Sequence, residues 1–443
     1  MADLEALESR LQRGDATLAV IGLGYVGLPV ACKFAAAGFT VLGVERDAAK
    51  AAQVSAGECP IGGAEPGLAE LLAQVVAAGR LTATTDYALC RRAQAALIAV
   101  ETPLDGDHQP DYTALESALR SLGAHLPSGM LVIVESTIAP GTMDRFVRPL
   151  LERVSGRRAG EDFWLVHCPE RVMPGKLLAN LESCARVVGG MTPAAARAAA
   201  ALYRHVVRAG LDLTDCLTAE LVKTTENTYR DVQIAFANEV ALLCESVGAD
   251  VFQVRRLVNK SPQREMHLPG AGVGGHCIPK DPWLLLAGAG DGFQARLIPT
   301  ARAVNDGMPL HVADLVADGL RAVGLEIAGA RVAVLGYAYL EESDDARNSP
   351  SAVLVARLRE VGAEVVIHDP FVPPYQGDWR DVVRGCDAAA VMVAHRAYRQ
   401  MDLDELRGLL RHPVLVDGRN LFTAEEARGF VYRGVGKPGQ ELS

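Results

Sequence analysis

The run Thr17–Gly27, TLAVIGLGYVG, leaves a chain few ways to fold. A short β-rich stretch leads into Gly22, Gly24 and Gly27, spaced as G-x-G-x-x-G; a Pro29–Ala37 segment of helical composition follows, then a second β-rich run at Thr40–Val44. Strand, glycine turn, helix and strand make a βαβ unit. At this spacing the glycines allow a tight turn, close approach of the backbone to a pyrophosphate, and close helix–strand packing, while helix N-terminal amides supply an anion site. Glu45 stands about 20 residues on, where an acid receives a ribose hydroxyl and repels the extra phosphate of NADP. NAD is therefore the expected cofactor, with the adjacent Arg46 the one residue arguing the other way. The bland alternative, a purely structural glycine turn, is outweighed by the βαβ context.

Further apolar strands at Ala95–Val100, Met130–Glu135 and Phe163–His167 extend a parallel, doubly wound sheet to about Gly190. Thr218–Val247 contains no Gly or Pro, has Thr218 as an N-cap and Glu220 in its first turn, and meets Gly248 directly after, so it reads as one long helix. Arg331–Gly336, Glu364–His368, Ala388–Val393 and Val414–Asp417 then repeat the strand-and-helix alternation, although RVAVLGYAYL lacks the second and third glycines of the first turn. The expected fold class is α/β: two Rossmann-like doubly wound domains joined by a long central helix. A length of 443 residues with 49% apolar content allows two or three such cores.

Charge and cysteine usage narrow the function. The formal charge of −10 and pI near 5.6 argue against nucleic acid, so an anionic ligand must be held by local donors. The charged start ADLEALESRLQRGD is unlike a signal peptide, and no stretch approaches the ~18 apolar residues of a span, so a cytoplasmic protein with no membrane partner is expected. Nine cysteines without a C-x-x-C pair fit a reducing compartment, and neither a disulfide framework nor a zinc site.

One cysteine stands apart. In LPGAGVGGHCIPKDP, Cys277 follows four glycines and precedes Lys280 and Asp281, which exposes a thiol beside ionisable groups. A buried structural thiol is the bland reading, and it is the reading for the other eight. A nucleophilic thiolate together with NAD suggests an aldehyde trapped as a thiohemiacetal, oxidised to a thioester and hydrolysed. No metal is expected, because His276 and Cys277 are adjacent and no second ligand pair lies nearby. Lys223 and Asn227, four apart, share one face of the long helix and can converge on a ligand. Alone, such a pair is more often a solvated face, and Glu226 and Arg230 would fit that.

GLGYVGLP at Gly22–Pro29, VETP at Val100–Pro103, ESTIAPGT at Glu135–Thr142, CPERVMPG at Cys168–Gly175, AELVKTTENTYRD and GVGGHCIPKDP together resemble the UDP-glucose/GDP-mannose dehydrogenase family, from about Leu18 to Phe422. The resemblance implies a two-fold oxidation of a sugar primary alcohol using two NAD per turnover. It implies an NAD-binding Rossmann domain (1–195), a central helical dimerisation domain with the cysteine loop (196–310) and a C-terminal UDP-sugar-binding Rossmann-like domain (311–443), in a homodimer or higher homo-oligomer. Carried over by motif position, Cys277 is the nucleophile, Lys223 and Asn227 stabilise the oxyanion, Asp281 moves a proton through a water, Thr137 orients a water, and Glu170 serves acid–base or thioester hydrolysis. Gly22, Gly24, Tyr25, Val26, Gly27, Glu45, Thr102, Pro103 and Thr137 are implied to hold NAD. Glu170, Arg171, Lys223, Asn227, Gly274, Gly275, Arg347 and Arg419 are implied to hold the UDP-sugar, with Arg264 reaching a substrate in the neighbouring subunit.

Within the family, VGGHCIPKDPW, PERVMPG, TENTYRDVQIAFANE and QARLIPTARAVND resemble members acting on acetamido sugars. UDP-N-acetylmannosamine is favoured, UDP-N-acetylglucosamine next and UDP-glucose after them, since Pro174 stands where UDP-glucose enzymes commonly carry a second carboxylate. Production of a uronic acid for surface polysaccharide follows from that reading. Two departures stand out: GYAYLEESDDARNSP places Leu340 at the usual substrate-contacting Lys, and PIGGAEPGL at Pro60–Leu68 is longer by about two residues, as a plain loop insertion would be. Leu340 alone motivates a reading from another class, a non-catalytic nucleotide-sugar-binding protein.

Overall fold

Residues 2–62, 65–173, 175–290 and 292–441 are described by the computed structural model, and thirteen strands among them form two sheets. The first sheet contains β1 (Thr17–Ile21), β2 (Thr40–Val44), β3 (Leu81–Thr84), β4 (Ala95–Ile98), β5 (Leu131–Val134), β6 (Trp164–His167), β7 (Arg186–Gly190) and β8 (Leu211–Asp215), in the order 3-2-1-4-5-6-7-8. The order reverses between β1 and β4, which opens a crevice at the carboxyl ends of these strands, beside the glycine turn. The second sheet contains β9 (Arg331–Leu335), β10 (Glu364–His368), β11 (Ala388–Val391), β12 (Val414–Asp417) and β13 (Val431–Gly434), all parallel, in the order 10-9-11-12-13. Two doubly wound α/β sheets are thus the architecture expected from the strand pattern.

Two details differ from expectation. The first sheet continues past Gly190 to β8, and β6 runs antiparallel to β7, with Val166 opposite Gly190 and His167 opposite Gly189. The helix of 32 residues begins at Cys216, not after Thr218: the Asp215 carboxylate accepts the Thr218 amide at 2.9 Å and its hydroxyl at 2.7 Å, so the residue expected to cap is itself capped. Gly248 ends the helix in the left-handed region (φ 75°), where glycine carries no Cβ penalty.

The chain divides into two compact units, Met1–Glu226 with Trp283–Phe293, and Asn227–Pro282 with Gln294–Ser443, and the long helix contributes to each. In the first unit, Leu18 and Val20 pack on one face of the sheet against helices Gly27–Ala36 and Pro193–Tyr203, while Ala19 and Ile21 pack on the other with Thr113–Gly123. Strand alternation buries both faces, as a parallel sheet requires. The second unit repeats the arrangement, with Val332 and Val334 against helix Leu297–Ala322, and Ala333 and Leu335 against Trp379 and Leu406. Among the described residues no helix is long and apolar enough to cross a membrane.

Candidate active site

The three glycines of the first turn are required for different reasons. Gly22 has φ +89°, and a Cβ there would lie 2.7 Å from the Ala99 carbonyl oxygen. A Cβ on Gly27 would lie 1.8 Å from the Gly22 oxygen, yet one on Gly24 would meet nothing within 4 Å. The turn is thus closed beneath and open above Gly24. No side chain caps helix Gly27–Ala36 at Val26, so that helix end and the space over Gly24 fit a pyrophosphate. Glu45, buried at the end of β2, accepts the Leu23 amide at 3.0 Å and lies 3.5 Å from Lys50 Nζ; Arg46 turns away to Glu101 at 3.2 Å. The Tyr25 hydroxyl donates to Gly62 O at 3.1 Å, and Glu65 accepts the Gly175 amide at 2.7 Å. The long Pro60–Leu68 segment therefore bridges the glycine turn to the chain beyond Glu170. Gly63, Ala64 and Pro174 lie outside the described residues.

At the carboxyl ends of β4 and β5, buried Thr102 donates to Thr137 O at 2.7 Å, and Ser136 donates to Val100 O at 2.6 Å. The Pro103 carbonyl accepts the Asp111 amide at 2.9 Å. These bonds join the two segments expected at the nicotinamide side.

Beyond β6, Lys223, 6% exposed, donates to Glu170 O at 2.6 Å, and the Glu170 carboxylate turns onto the Val172 amide. Arg171 is engaged by both oxygens of Glu226 and by Ala185 O. Glu170, Arg171 and Lys223 are thus brought together in the first unit. Beneath them His167 is fully buried; its Nδ1 donates to Val134 O at 2.9 Å, and burial pushes its pKa down to about 3, keeping it neutral.

In the second unit Cys277 is exposed, whereas the other eight cysteines are buried or half-buried thiols. Its glycine loop is pinned along its length. Asn238 accepts the Gly270 amide at 2.9 Å, Gly275 N donates to Arg347 O at 3.0 Å, Asn348 donates to Gly275 O at 3.0 Å, and a Cβ on Gly274 would lie 2.6 Å from Tyr339 Cβ. Beyond the thiol, the Lys280 and Asp281 amides donate to Cys277 O at 3.1 and 2.9 Å. Fully buried Asp281 pairs with Lys280 Nζ at 2.8 Å and accepts from Asn227 Nδ2 at 2.5 Å, so Cys277, Asp281 and Asn227 belong to one local constellation. Burial, and then Lys280, push the His276 pKa down, so the neighbouring imidazole is neutral.

The implied nucleotide contacts fall differently. Arg347 Nη2 pairs with Asp345 at 2.5 Å. Arg419 donates to Met392 O at 2.7 Å; burial pushes its pKa down to about 10, which leaves it cationic at neutral pH. Arg264 is exposed and reaches the carbonyl of Gln263 at 3.3 Å. Leu340 is exposed in an acidic loop whose Glu341 pairs with Arg399 at 3.3 Å.

Residues 16–207 match the NAD binding domain of the UDP-glucose/GDP-mannose dehydrogenase family, 217–307 its central domain and 333–424 its UDP binding domain. The chain belongs to this family. It is 40% identical over 420 residues to the UDP-N-acetyl-D-mannosamine dehydrogenase of Pyrococcus horikoshii, covering 95% of this chain and 99% of that one. The solved structure of the UDP-D-ManNAc dehydrogenase from that organism superposes with a TM-score of 0.91 at 39% identity, covering 95% and 99% of the two chains. An NDP-N-acetyl-D-galactosaminuronic acid dehydrogenase structure from Methanosarcina mazei gives 0.87 at 38% identity, covering 99% and 98%. This chain is thus an NAD-dependent UDP-sugar oxidoreductase.

Residue reasoning passed over several polar groups of the dehydrogenase that the structure makes prominent. Glu220 is 1% exposed and accepts two loop amides, and Asn238, also buried, holds Gly270. With Lys223, Asn227 and Asp231 they form a stripe at helical spacing, 220, 223, 227, 231 and 238. That spacing is a signal that they share one face of the helix.

Proposed function

We propose that this dehydrogenase oxidises a UDP-N-acetylhexosamine, UDP-N-acetylmannosamine first and UDP-N-acetylglucosamine second, to its uronic acid in a four-electron reaction. The observation that carries this reading is Cys277, an exposed thiol on a loop pinned at Gly270 and Gly275, beside Asp281, in a chain that also carries an NAD turn. The names of the Pyrococcus and Methanosarcina relatives support an acetamido sugar over glucose.

NAD, held at the glycine turn by Gly22, Gly24 and Glu45, would supply a hydride acceptor twice per turnover. In the first oxidation the C6 hydroxyl gives its proton through a water to Asp281 while one hydrogen on the C6 carbon is lost as hydride, making an aldehyde. The Lys223 ammonium and the Asn227 amide stabilise the negative charge developing on that oxygen. Cys277 Sγ then bonds to the aldehyde carbon as a thiohemiacetal, a second hydride leaves, and a thioester remains. A water oriented by Thr137, with Glu170 moving the proton, splits the C–S bond to return the thiol and a carboxylate. The Gly274–Gly275 backbone, Arg171, Arg347 and Arg419 hold the UDP-sugar, and Arg264 reaches the substrate of a neighbouring subunit. The three-part domain division, a cytoplasmic location and a role in surface polysaccharide synthesis belong to the same reading. So does a homodimer, supported by exposed Tyr229, Phe236 and Leu243 repeating every seven residues along the long helix.

The test counts NADH formed per sugar consumed for UDP-N-acetylmannosamine, UDP-N-acetylglucosamine and UDP-glucose, in wild type and Cys277→Ser. Two NADH with one acetamido sugar are expected, and Cys277→Ser should lower the second oxidation by at least about 10³. One NADH per sugar would remove the thioester route, preference for UDP-glucose would overturn the sugar, and no NADH with any UDP-sugar would favour the non-catalytic binding protein.

A further inference from the structure

The loop 136–142 carries Thr137, and the second turn of the long helix carries Glu220 three residues before Lys223. Between them lies a two-oxygen clasp. Glu220 Oε2 accepts the Gly141 amide at 2.6 Å, Oε1 accepts the Met143 amide at 2.7 Å, and the side chain is 1% exposed. Met143 opens the helical segment 143–155, so the carboxylate caps that helix from 77 residues away. Gly141 is in the left-handed region (φ +84°), a bend that aims both amides at one side chain. The loop's other end is tied by Thr102 to Thr137 O at 2.7 Å, and its middle by the Tyr112 hydroxyl, which accepts the Ala139 amide at 2.8 Å. Arg145 also donates to Pro140 O at 2.6 Å, and Glu220 is the carboxylate among these holds. Its helix carries Lys223 a turn further on, with Thr224 donating back to Glu220 O at 2.8 Å.

We propose that Glu220 is a positioning residue for the reaction, a latch that fixes the Thr137 loop at a set distance from the Lys223 ammonium. This rests on the roles proposed above for Thr137 and Lys223, and neither Glu220 oxygen is left over for substrate. Mutual positioning matters because a displacement near 1 Å at reacting groups costs about a hundredfold in rate. The latch also titrates near neutral pH. Burial raises the Glu220 carboxyl to about 7 against the opposing pull of the two amides and of Arg145, with Asp144 adding to the rise. The other groups facing it are Tyr112, raised by its own burial, and Cys216, raised to about 12, so neither ionises at neutral pH. Asp144 is taken up by Arg148 at 2.8 Å. Above pH 7 both oxygens accept and the loop is held; below it one oxygen carries a proton facing an amide proton, and the hold weakens.

The test uses full-length wild type, Glu220→Gln and Glu220→Asp. Amide hydrogen exchange across 136–147, corrected for intrinsic rates, should show protection at Gly141 and Met143 that falls in wild type from pH 8 to pH 6 and is low at both pH values in Glu220→Gln. Glu220→Gln should lower kcat about ten- to a hundredfold with KM for NAD unchanged, and should lose the acid limb of the kcat profile near pH 7, because its NH2 end cannot accept the amide that the second oxygen accepts and its side chain does not titrate. Glu220→Asp, keeping the carboxylate, should keep the limb. Unchanged exchange and an unchanged kcat profile in Glu220→Gln would overturn the latch. Should Glu220→Gln fail to fold, pH-independent protection in wild type overturns it equally. A wild type inactive on UDP-sugars would overturn the functional reading, while the exchange result still decides the latch.

Discussion

Gly24 and Gly27 are three positions apart and answer differently to the same added methyl group. At Gly27 the methyl would sit 1.8 Å from the Gly22 carbonyl oxygen, a backbone clash that no rotamer relieves; over Gly24 the space is open to 4 Å. Gly27→Ala should therefore lower the melting temperature, with NAD binding falling as a consequence. Gly24→Ala should melt with the wild type yet bind NAD at least about tenfold more weakly, because its methyl projects where a pyrophosphate approaches the backbone. Calorimetric melting and NAD titration of the two variants check this, and a Gly24→Ala protein that binds NAD normally would move the pyrophosphate elsewhere. The work of these glycines was legible in the sequence because the motif's turn, approach and packing are local. That of Glu220 was not, since its amide partners are Gly141 and Met143, and spacing along a chain carries no record of what folds back onto it.

The long helix shows the same limit over a longer span. Its end at Gly248 was readable from a single glycine, and its start slipped by three residues because Asp215 competes with Thr218 for the cap. The repeat at 220, 223, 227, 231 and 238 identifies one face, but periodicity does not say whether water or protein covers it. In the structure Asp231 is buried against Arg302 at 2.5 Å and Asn305, and Asn305 Oδ1 accepts from Asn238 at 2.8 Å. Asn238 in turn accepts the buried Gly270 amide that opens the cysteine loop. Asn238→Leu would leave that amide without an acceptor, which costs about 1–3 kcal/mol. The variant should melt lower and form the thioester more slowly, with NAD affinity at the glycine turn unchanged; a slowdown absent at full occupancy of both ligands would show that the loop holds its shape without Asn238. Of the four strands that escaped notice, β3 (LTAT) and β8 (LDLTD) lie at the two edges of the first sheet, where polar residues face water and the apolar signal disappears, while β7 (RVVGG) and β13 (VYRG) are buried but short, their apolar runs broken by Arg and Gly.

At the scale of the whole molecule, each unit carries its own apolar clusters: those of the first are drawn from residues up to Cys216, and those of the second begin at Ala237. The second sheet was recognisable without a glycine fingerprint because β9, β11 and β12 keep the apolar runs of a parallel sheet buried on both faces. Separate cores make separate ligand responses the expectation, since a ligand stabilises only the part whose folding creates its site. NAD at about a hundredfold its dissociation constant contributes roughly 2.7 kcal/mol, which for a unit of this size raises its transition by roughly 5–10 °C. Scanning calorimetry should resolve two transitions, one moved by NAD alone and the other by UDP alone. The element opposing this separation is the helix Cys216–Val247, which contributes to each unit and melts as a whole if helical cooperativity dominates. A single transition that rises with either ligand would therefore mean that this helix couples the units into one cooperative block, and that occupancy at the glycine turn stabilises the cysteine loop as well.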